Sequence, residues 1–454
     1  MHTSFEAYFE NFRGREIAVL GLGVSNRPLV RLLLEFGCHV SGGDRTPREK
    51  LDEEVLELEK LGCQLFLGDE FYKRMRADVA FRTPGMHPDS PAVAHFRQQG
   101  AVITSEMAAF FEVCPCQMIA VTGSDGKTTT TTLISEMLKA AGKRVWLGGN
   151  IGKPLLSLTP RMRPDDVAVL ELSSFQLMDM PQSPQRAVVT NLAPNHLDVH
   201  KDMQEYVDAK KNIFLYQNKD GLLILNGDND ITAGFTGNGT THFFSRQGKP
   251  AHVSLRDGVI YRGSVPVLNT GDILLPGVHN VENYMAAIGA VEGLVPDEAI
   301  VTVAKQFGGV EHRIELVRLK DGVRFYNDSI ASSPSRTIAG LRSFPEKVLL
   351  IAGGYDKHIP YDVLGPEICS HVKKLYLCGA TGPKIRQATE QAENYVPGFP
   401  EIVDCADFDD AVLSAARDAR GGDVVLMSPA SASFDCFKNF MVRGDHFKKL
   451  VKEL

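Results

Sequence analysis

Apolar and polar positions along the chain repeat one pattern three times: a short unbroken apolar run, a glycine-rich turn, then apolar residues at helical spacing. The instances are EIAVLGLGVSNRPLVRLLLEFG at 16–37, MIAVTGSDGKTTTTTLISEMLKAAG at 118–142 and KVLLIAGGYDKHIP at 347–360. The third is followed by LYLCGATGPK and DVVLMSPASASFDCFKNF. Apolar strands alternating with helices of about 10–15 residues predict parallel sheets covered on both faces. The stretch 221–275 departs from this, because LLILNGD, THFFSR, VSLRDGVIYRG and VPVLN predict a small β-rich part of short strands and hairpins. No short-period repeat is present, which excludes a solenoid. Boundaries fall near 105 and 310, giving segments 1–105, 106–309 and 310–454 joined by short hinges.

A chain of 454 residues exceeds what one core serves and suggests about three domains. Hydrophobic content of 43% with 23% charged residues excludes a disordered or fibrous chain. The net charge of -7 opposes a nucleic-acid partner, which requires a basic face. The opening MHTSFEAYFENFRGR has no apolar core of a signal peptide, and no apolar run is long enough to span a bilayer. Eight cysteines without paired CxxC spacing indicate reduced thiols and a cytoplasmic enzyme.

The strongest chemical signal is the strand running into Gly123-Ser124-Asp125-Gly126-Lys127-Thr128. Small residues let successive N–H groups turn inward around phosphate oxygens at a helix N-terminus that already favours anions. Lys127 would reach the β- and γ-phosphates, and the Thr128 hydroxyl would ligate Mg²⁺. Val121 stands where the usual eight-residue pattern has its first glycine, so a tight turn with an incidental lysine is the competing reading. The earlier loop, Gly21-Leu-Gly23-Val-Ser25-Asn26, is weaker. It follows a strand, and Asp44 ends the next strand about 20 residues on, but Asn26 replaces the final glycine of the dinucleotide fingerprint. Alone it fits an NAD(P) oxidoreductase, or a turn that binds nothing.

Further candidates lie between these motifs. DVAVLELSSFQL delivers Glu171 from a buried strand opposite the phosphate loop, where a carboxylate can bind Mg²⁺ or merely sit at a helix N-terminus. In TNLAPNHLDVH, His196, Asp198 and His200 alternate as on one strand face, the spacing of a metal cluster, although lone histidines at strand ends are usually only hydrogen-bonded. Lys210 follows in EYVDAKKNIF; a solvated helix lysine is the ordinary alternative. Asn280 and Asn283 share a helical face and read a base edge or cap the helix. Arg313, past a hinge, brings charge to phosphates or lies on the surface.

VTGSDGKTTT, LELSSFQL, NHLD, DAK, VHNVEN, EHRIE, YNDS, GGYDK and SPASASFDCFKNF occur in that order, and together they resemble the Mur ligase family. The resemblance spans nearly the whole chain. It implies an α/β chain of three domains: a Rossmann-like N-terminal domain for a uridine nucleotide, a central P-loop-type ATPase with a mixed sheet, and a C-terminal Rossmann-like domain for an amino acid. The implied activity is ATP-dependent amide ligation through an acyl phosphate, with UDP-N-acetylmuramoyl-L-alanine and D-glutamate as substrates. Family rivals would add L-alanine, a diamino acid or polyglutamate.

Carried over by position, Ser25, Asp44, Arg45, Gly85, Asn150 and His196 would meet the UDP-linked substrate. Gly123, Ser124, Asp125, Gly126, Lys127, Thr128 and Thr129 would hold ATP phosphates, with Asn280, Asn283, Arg313 and Asp328 also serving ATP. Thr128, Glu171, His196 and Lys210 would hold two Mg²⁺ ions, Lys210 as a carbamate. Lys127, Glu171, His196 and Lys210 would be catalytic, and Lys357, Ser433 and Phe440 would hold the incoming glutamate. A monomer is expected. Asp125 replaces a commoner Asn, PNHLD a commoner acidic residue before the histidine, and Ile330 stands where many relatives have Lys.

Overall fold

A computed structural model describes residues 3–194, 199–357 and 359–454. Among these residues the chain is α/β and builds three sheets. The first comprises β1 (Glu16–Leu20), β2 (His39–Asp44), β3 (Gln64–Leu67), β4 (Val79–Arg82) and β5 (Val102–Thr104), all parallel in the order β3-β2-β1-β4-β5. The second comprises β6 (Gln117–Thr122), β7 (Val145–Gly149), β8 (Val167–Glu171), β9 (Arg186–Val189), β10 (Leu222–Asn226), β11 (Thr240–Ser245), β12 (Val253–Arg256), β13 (Val259–Arg262) and β14 (Val265–Asn269). Its order is β14-β13-β12-β11-β10-β9-β6-β8-β7. The third comprises β15 (Glu315–Lys320), β16 (Val323–Asn327), β17 (Val348–Gly353), β18 (Val372–Cys378), β19 (Glu401–Asp404) and β20 (Val424–Met427), in the order β15-β16-β20-β17-β18-β19.

The β-rich stretch differs from its sequence expectation in one respect. β10, β11 and β12 extend the central sheet in parallel, and hairpins begin only at β12. An apolar strand carries no mark of its partner's direction, whereas the Asp257-Gly258 turn does. Both residues have positive φ, 47° and 76°, as a tight two-residue hairpin turn requires. The same dipeptide at Asp321-Gly322 closes the antiparallel β15–β16 pair.

The chain forms two compact units, one of Met1–Asp272 with Val281–Val303, the other of Ile273–Asn280 with Ala304–Leu454. In the first, one apolar cluster runs from Phe9, Leu33 and Phe81 through Phe110 to Leu170 and Leu223. Arg82, buried at the end of β4, donates to the carbonyls of Phe175 and Met178 at 3.3 and 2.6 Å. In the second, Leu350 and Leu375 pack on one face of the sheet, and Ile351 and Tyr376 on the other. Among the described residues no helix is long and apolar enough to cross a membrane.

Glu106, in the first turn of the helix Glu106–Val113, is enclosed and accepts the Leu156 N–H at 3.3 Å. Burial pushes its carboxyl up to about 7, and the single N–H bond only partly opposes this. The bound proton therefore stabilises the fold fully below the ordinary carboxylate range, and that contribution is lost as pH rises through about 7. Glu106→Gln, uncharged throughout, is expected to lose roughly 2–3 kcal/mol less than the parent chain between pH 5 and 8, read from urea midpoints. Parallel pH curves for the two proteins would contradict this.

Candidate nucleotide and acyl-transfer site

The phosphate-type loop joins β6 to the helix Lys127–Ala140. Gly126 caps that helix at φ 76°, and a Cβ there would meet Asn283 Oδ1 at 2.3 Å. Gly123, at φ 147°, would meet Thr190 Oγ1 at 1.9 Å if it carried a Cβ. The loop is held from the segment after β9: Asn191 accepts from the N–H groups of Ser124 and Asp125, both at 2.9 Å, and Thr190 Oγ1 donates to the Asp125 carbonyl at 2.6 Å. Ser124 Oγ lies 2.9 Å from both the Ala193 carbonyl and the Tyr206 hydroxyl. Lys127 Nζ folds over the loop onto the carbonyls of Gly123 (3.0 Å) and Ser124 (2.8 Å), which sets its charge at the helix N-terminus. Val121 lies buried within β6, paired to Glu171 and Val188, so the position of the missing first glycine is strand here.

Glu171 ends β8 beside this loop. Its Oε1 accepts from Asn150 Nδ2 at 2.7 Å, while Oε2 is buried with no hydrogen-bond partner among the described residues. A buried carboxylate oxygen left open beside a phosphate loop fits a Mg²⁺ ligand. Asn150 follows β7, and its N–H reaches the Glu171 carbonyl at 2.7 Å. Lys210, 2% exposed on the helix Met203–Leu215, points at the same loop. It donates to Gly123 O at 2.9 Å and to Thr122 Oγ1 at 3.2 Å, and lies over the Tyr206 ring at 4.8 Å. Burial, then the charge of Lys127, hold the Lys210 amine well below the usual lysine range, against the opposing pull of Glu171 and Asp125. Thr128 and Thr129 occupy the first turn of the loop's helix, half-buried.

His196 and Asp198 lie outside the described residues. His200, expected on a strand face with them, instead lies in a bend. Its Nε2 is 2.9 Å from Ser174 Oγ and its ring stacks on Phe175 with centroids 5.2 Å apart. Asn283 approaches the loop, receiving Thr130 Oγ1 at 3.3 Å.

The first glycine loop sits at the C-terminal end of β1. Asp44, ending β2, accepts the N–H groups of Leu22 (2.8 Å) and Thr46 (2.9 Å). Burial raises its pKa, but those two bonds together with the Arg27 charge outweigh burial and lower it overall. Asn26, in place of the third glycine, donates to Gly21 O at 2.8 Å and so ties the loop to its helix. Ser25 is half-buried at the helix start, and Arg45 and Gly85 are exposed after β2 and β4. All of these residues gather at the C-terminal ends of neighbouring parallel strands, where open α/β sheets bind ligands.

In the second unit, β17 and β20 are neighbours, and the loops that follow them are joined where Tyr355 N–H meets Ala432 O at 2.9 Å. Lys357 is exposed on one loop with Nζ 5.7 Å from the Phe434 ring, and Ser433 is buried on the other with its Oγ unpartnered among the described residues. Phe440 opens the last helix, and its ring lies edge-on to His312 at 6.0 Å. Asp328 is turned inward: Ser428 Oγ donates to it at 2.7 Å and Ile314 N–H at 3.3 Å, and burial pushes its carboxyl up to about 7. Arg313 is exposed, and Asn280 Nδ2 donates to Pro276 O at 2.6 Å. Arg336 donates to the Ile330 carbonyl at 3.0 Å, so a cation stands beside the position that lacks a lysine side chain.

Sequence reasoning passed over three groups. Thr190 and Tyr206 brace the phosphate loop from distant segments, and neither position has a motif of its own. Arg443, 2% exposed, donates to Ser329 O at 2.9 Å, Ser431 O at 3.0 Å and Ala432 O at 3.1 Å, fixing the loop before Ser433. An arginine within an amphipathic helix gives no sign of such burial.

A glycine-rich strand-to-helix loop with a lysine folded over it, beside a buried carboxylate on an α/β chain, fits an ATP-using enzyme. Residues 121–291 match the Mur ligase middle domain and residues 312–431 the Mur ligase glutamate ligase domain. UDP-N-acetylmuramoylalanine--D-glutamate ligase from Acetivibrio thermocellus is 49% identical, and that from Ruminiclostridium cellulolyticum 47%, each over 100% of both chains. UDP-N-acetylmuramate-alanine ligase from Thermotoga maritima shares the fold with a TM-score of 0.57 at 16% identity, over 97% of this chain and 99% of that one. The chain belongs to the Mur ligase family and is an ATP-dependent ligase.

Proposed function

We propose that the chain joins D-glutamate to the alanine carboxylate of UDP-N-acetylmuramoyl-L-alanine, as a cytoplasmic monomer making peptidoglycan precursors. The observation that carries the reading is the Lys127 loop lying beside Glu171, whose second oxygen is buried without a partner among the described residues. The names of full-length relatives at 47–49% identity support the choice of substrates.

The proposed division has three parts. Residues 1–105, with parallel strand order 3-2-1-4-5, form a Rossmann-like uridine-nucleotide domain carrying Ser25, Asp44, Arg45 and Gly85. Residues 106–309 form the ATP domain, and residues 310–454 a second Rossmann-like domain for glutamate.

In the proposed reaction the alanine carboxylate oxygen attacks the γ-phosphorus, the bridging bond to ADP breaks, and an acyl phosphate forms. The glutamate amine then attacks the acyl carbon, and the tetrahedral adduct loses a proton and expels phosphate. Lys127 and the loop N–H groups neutralise charge gathering on the transferred phosphoryl group. Asn283 and Asn280 serve ATP from their shared helix, joined by Arg313 and Asp328, and Asn150 orients both the acceptor and Glu171. Two Mg²⁺ ions would be held by Thr128, Glu171, His196 and a carbamylated Lys210, and would supply Lewis-acid stabilisation of phosphoryl oxygens. Lys357, Ser433 and Phe440 hold the glutamate.

Phosphate release from ATP, measured with the muramoyl-alanine substrate across D- and L-amino acids, tests the reading; release with D-glutamate is expected, and its absence would overturn the substrate choice. Lys357→Ala is expected to raise the apparent constant for D-glutamate at least about tenfold while changing that for ATP little, since one lost charged contact costs about 1.5–3 kcal/mol. Equal effects on both would place the lysine on phosphates.

A further inference from the structure

We propose that His242, His252 and Glu292 form a binding site for a zinc-type divalent cation, separate from the phosphate loop. His242 lies within β11, His252 immediately precedes β12, and Glu292 follows the helix Val278–Ala290, so three elements contribute one ligand each. One nitrogen from each ring and one carboxylate oxygen lie within 4.8 Å of one another. His252 Nε2 is 3.0 Å from both Glu292 oxygens and His242 Nδ1 is 3.4 Å from Oε2. Ligands around tetrahedral zinc stand about 3.3 Å apart, given bonds of about 2.0–2.1 Å, so rotation of the two rings out of their parallel stack would complete the geometry.

Three features mark the cluster as more than a hydrogen-bonded group. The two rings stack nearly parallel with centroids 3.7 Å apart, an arrangement that two protonated imidazoles would oppose. His242 Nδ1 is buried and makes no hydrogen bond among the described residues. The carboxylate is oriented from behind: Arg262 Nε stands 3.7 Å from Glu292 Oε1 while its other end donates to Asp297 at 2.8 Å, and Arg186 fixes the Glu292 carbonyl at 2.7 Å. Two other His/Asp/Glu groupings already enclose an ammonium, Lys201 on Asp89 and Lys448 on Glu311 and Asp445. No lysine pairs with Glu292 among the described ion pairs.

Two imidazoles and one carboxylate suit zinc and not magnesium, which prefers an all-oxygen shell. A bound ion would clamp the end of the helix that carries Asn283 onto β11 and β12. The test is calorimetric titration of the chelator-treated full chain with ZnCl₂ in millimolar MgCl₂, which occupies the ATP-linked sites. About one ion per chain is expected, with a rise in thermal midpoint. The His242→Gln/His252→Gln double variant is expected to bind more than about tenfold more weakly and to lose that rise. Should the double variant fail to fold, His252→Gln alone serves, since that side chain is 27% exposed. Equal affinity in the variant, or no uptake by the parent chain at micromolar zinc, would overturn the proposal.

Discussion

Lys127→Ala is expected to cut phosphate release at least about a hundredfold while leaving the UDP-linked substrate bound. The Lys127 ammonium rests on the Gly123 and Ser124 carbonyls, at the N-terminus of the helix Lys127–Ala140, where transferred phosphoryl charge would gather. Removing one preorganised electrostatic donor costs about 3–4 kcal/mol in the transition state. The residues proposed for the uridine nucleotide sit on a different sheet, at the ends of β1, β2 and β4, so binding there should survive. Steady-state phosphate release alongside titration of the UDP-linked substrate reads both effects. Turnover above roughly a tenth of the parent rate would count against the loop assignment.

Lys210→Ala should likewise lose most activity, and formate or acetate should restore part of it. CO₂ adds only to a neutral amine: the nitrogen–carbon bond forms, a proton leaves, and a carbamate with two anionic oxygens remains. Burial and the neighbouring Lys127 charge depress the Lys210 pKa, favouring that neutral amine. As an ammonium it would repel Mg²⁺; as a carbamate it would ligate the ion beside Glu171. The contacts to Gly123 O and Thr122 Oγ1 already aim the amine at the loop. A short carboxylate would fill the space left by alanine. Parent-level activity in the variant, unaffected by added acids, would refute the carbamate. Loss of activity without rescue would leave Lys210 as a simple cation.

The phosphate loop was legible because its chemistry is local: Gly123, Gly126, Lys127 and Thr128 are contiguous, and the apolar run before them and helical spacing after them set the turn's context. The alternation of apolar runs and helices likewise announced parallel sheets, and the short strands and hairpins of 221–275 were announced by their own runs, although not the parallel pairing of the first of them. Local backbone preferences and periodic burial are written residue by residue, so they survive without a partner.

What crosses the chain was not legible. The parallel joining of β10 to β12 depends on which neighbour each apolar strand meets. The bracing of the loop by Thr190, Asn191 and Tyr206, the burial of Arg443, the inward turn of Asp328 and the meeting of His242 with His252 and Glu292 all join residues from separate elements. Nor could spacing reveal that Lys210 is buried against Gly123 O, since a lysine on an amphipathic helix ordinarily faces solvent. Burial and charge proximity decide protonation, and both are properties of the packed chain. Sequence by itself therefore determined the chemical groups and the elements that bear them, while tertiary structure decided which groups share a dielectric environment and a hydrogen bond.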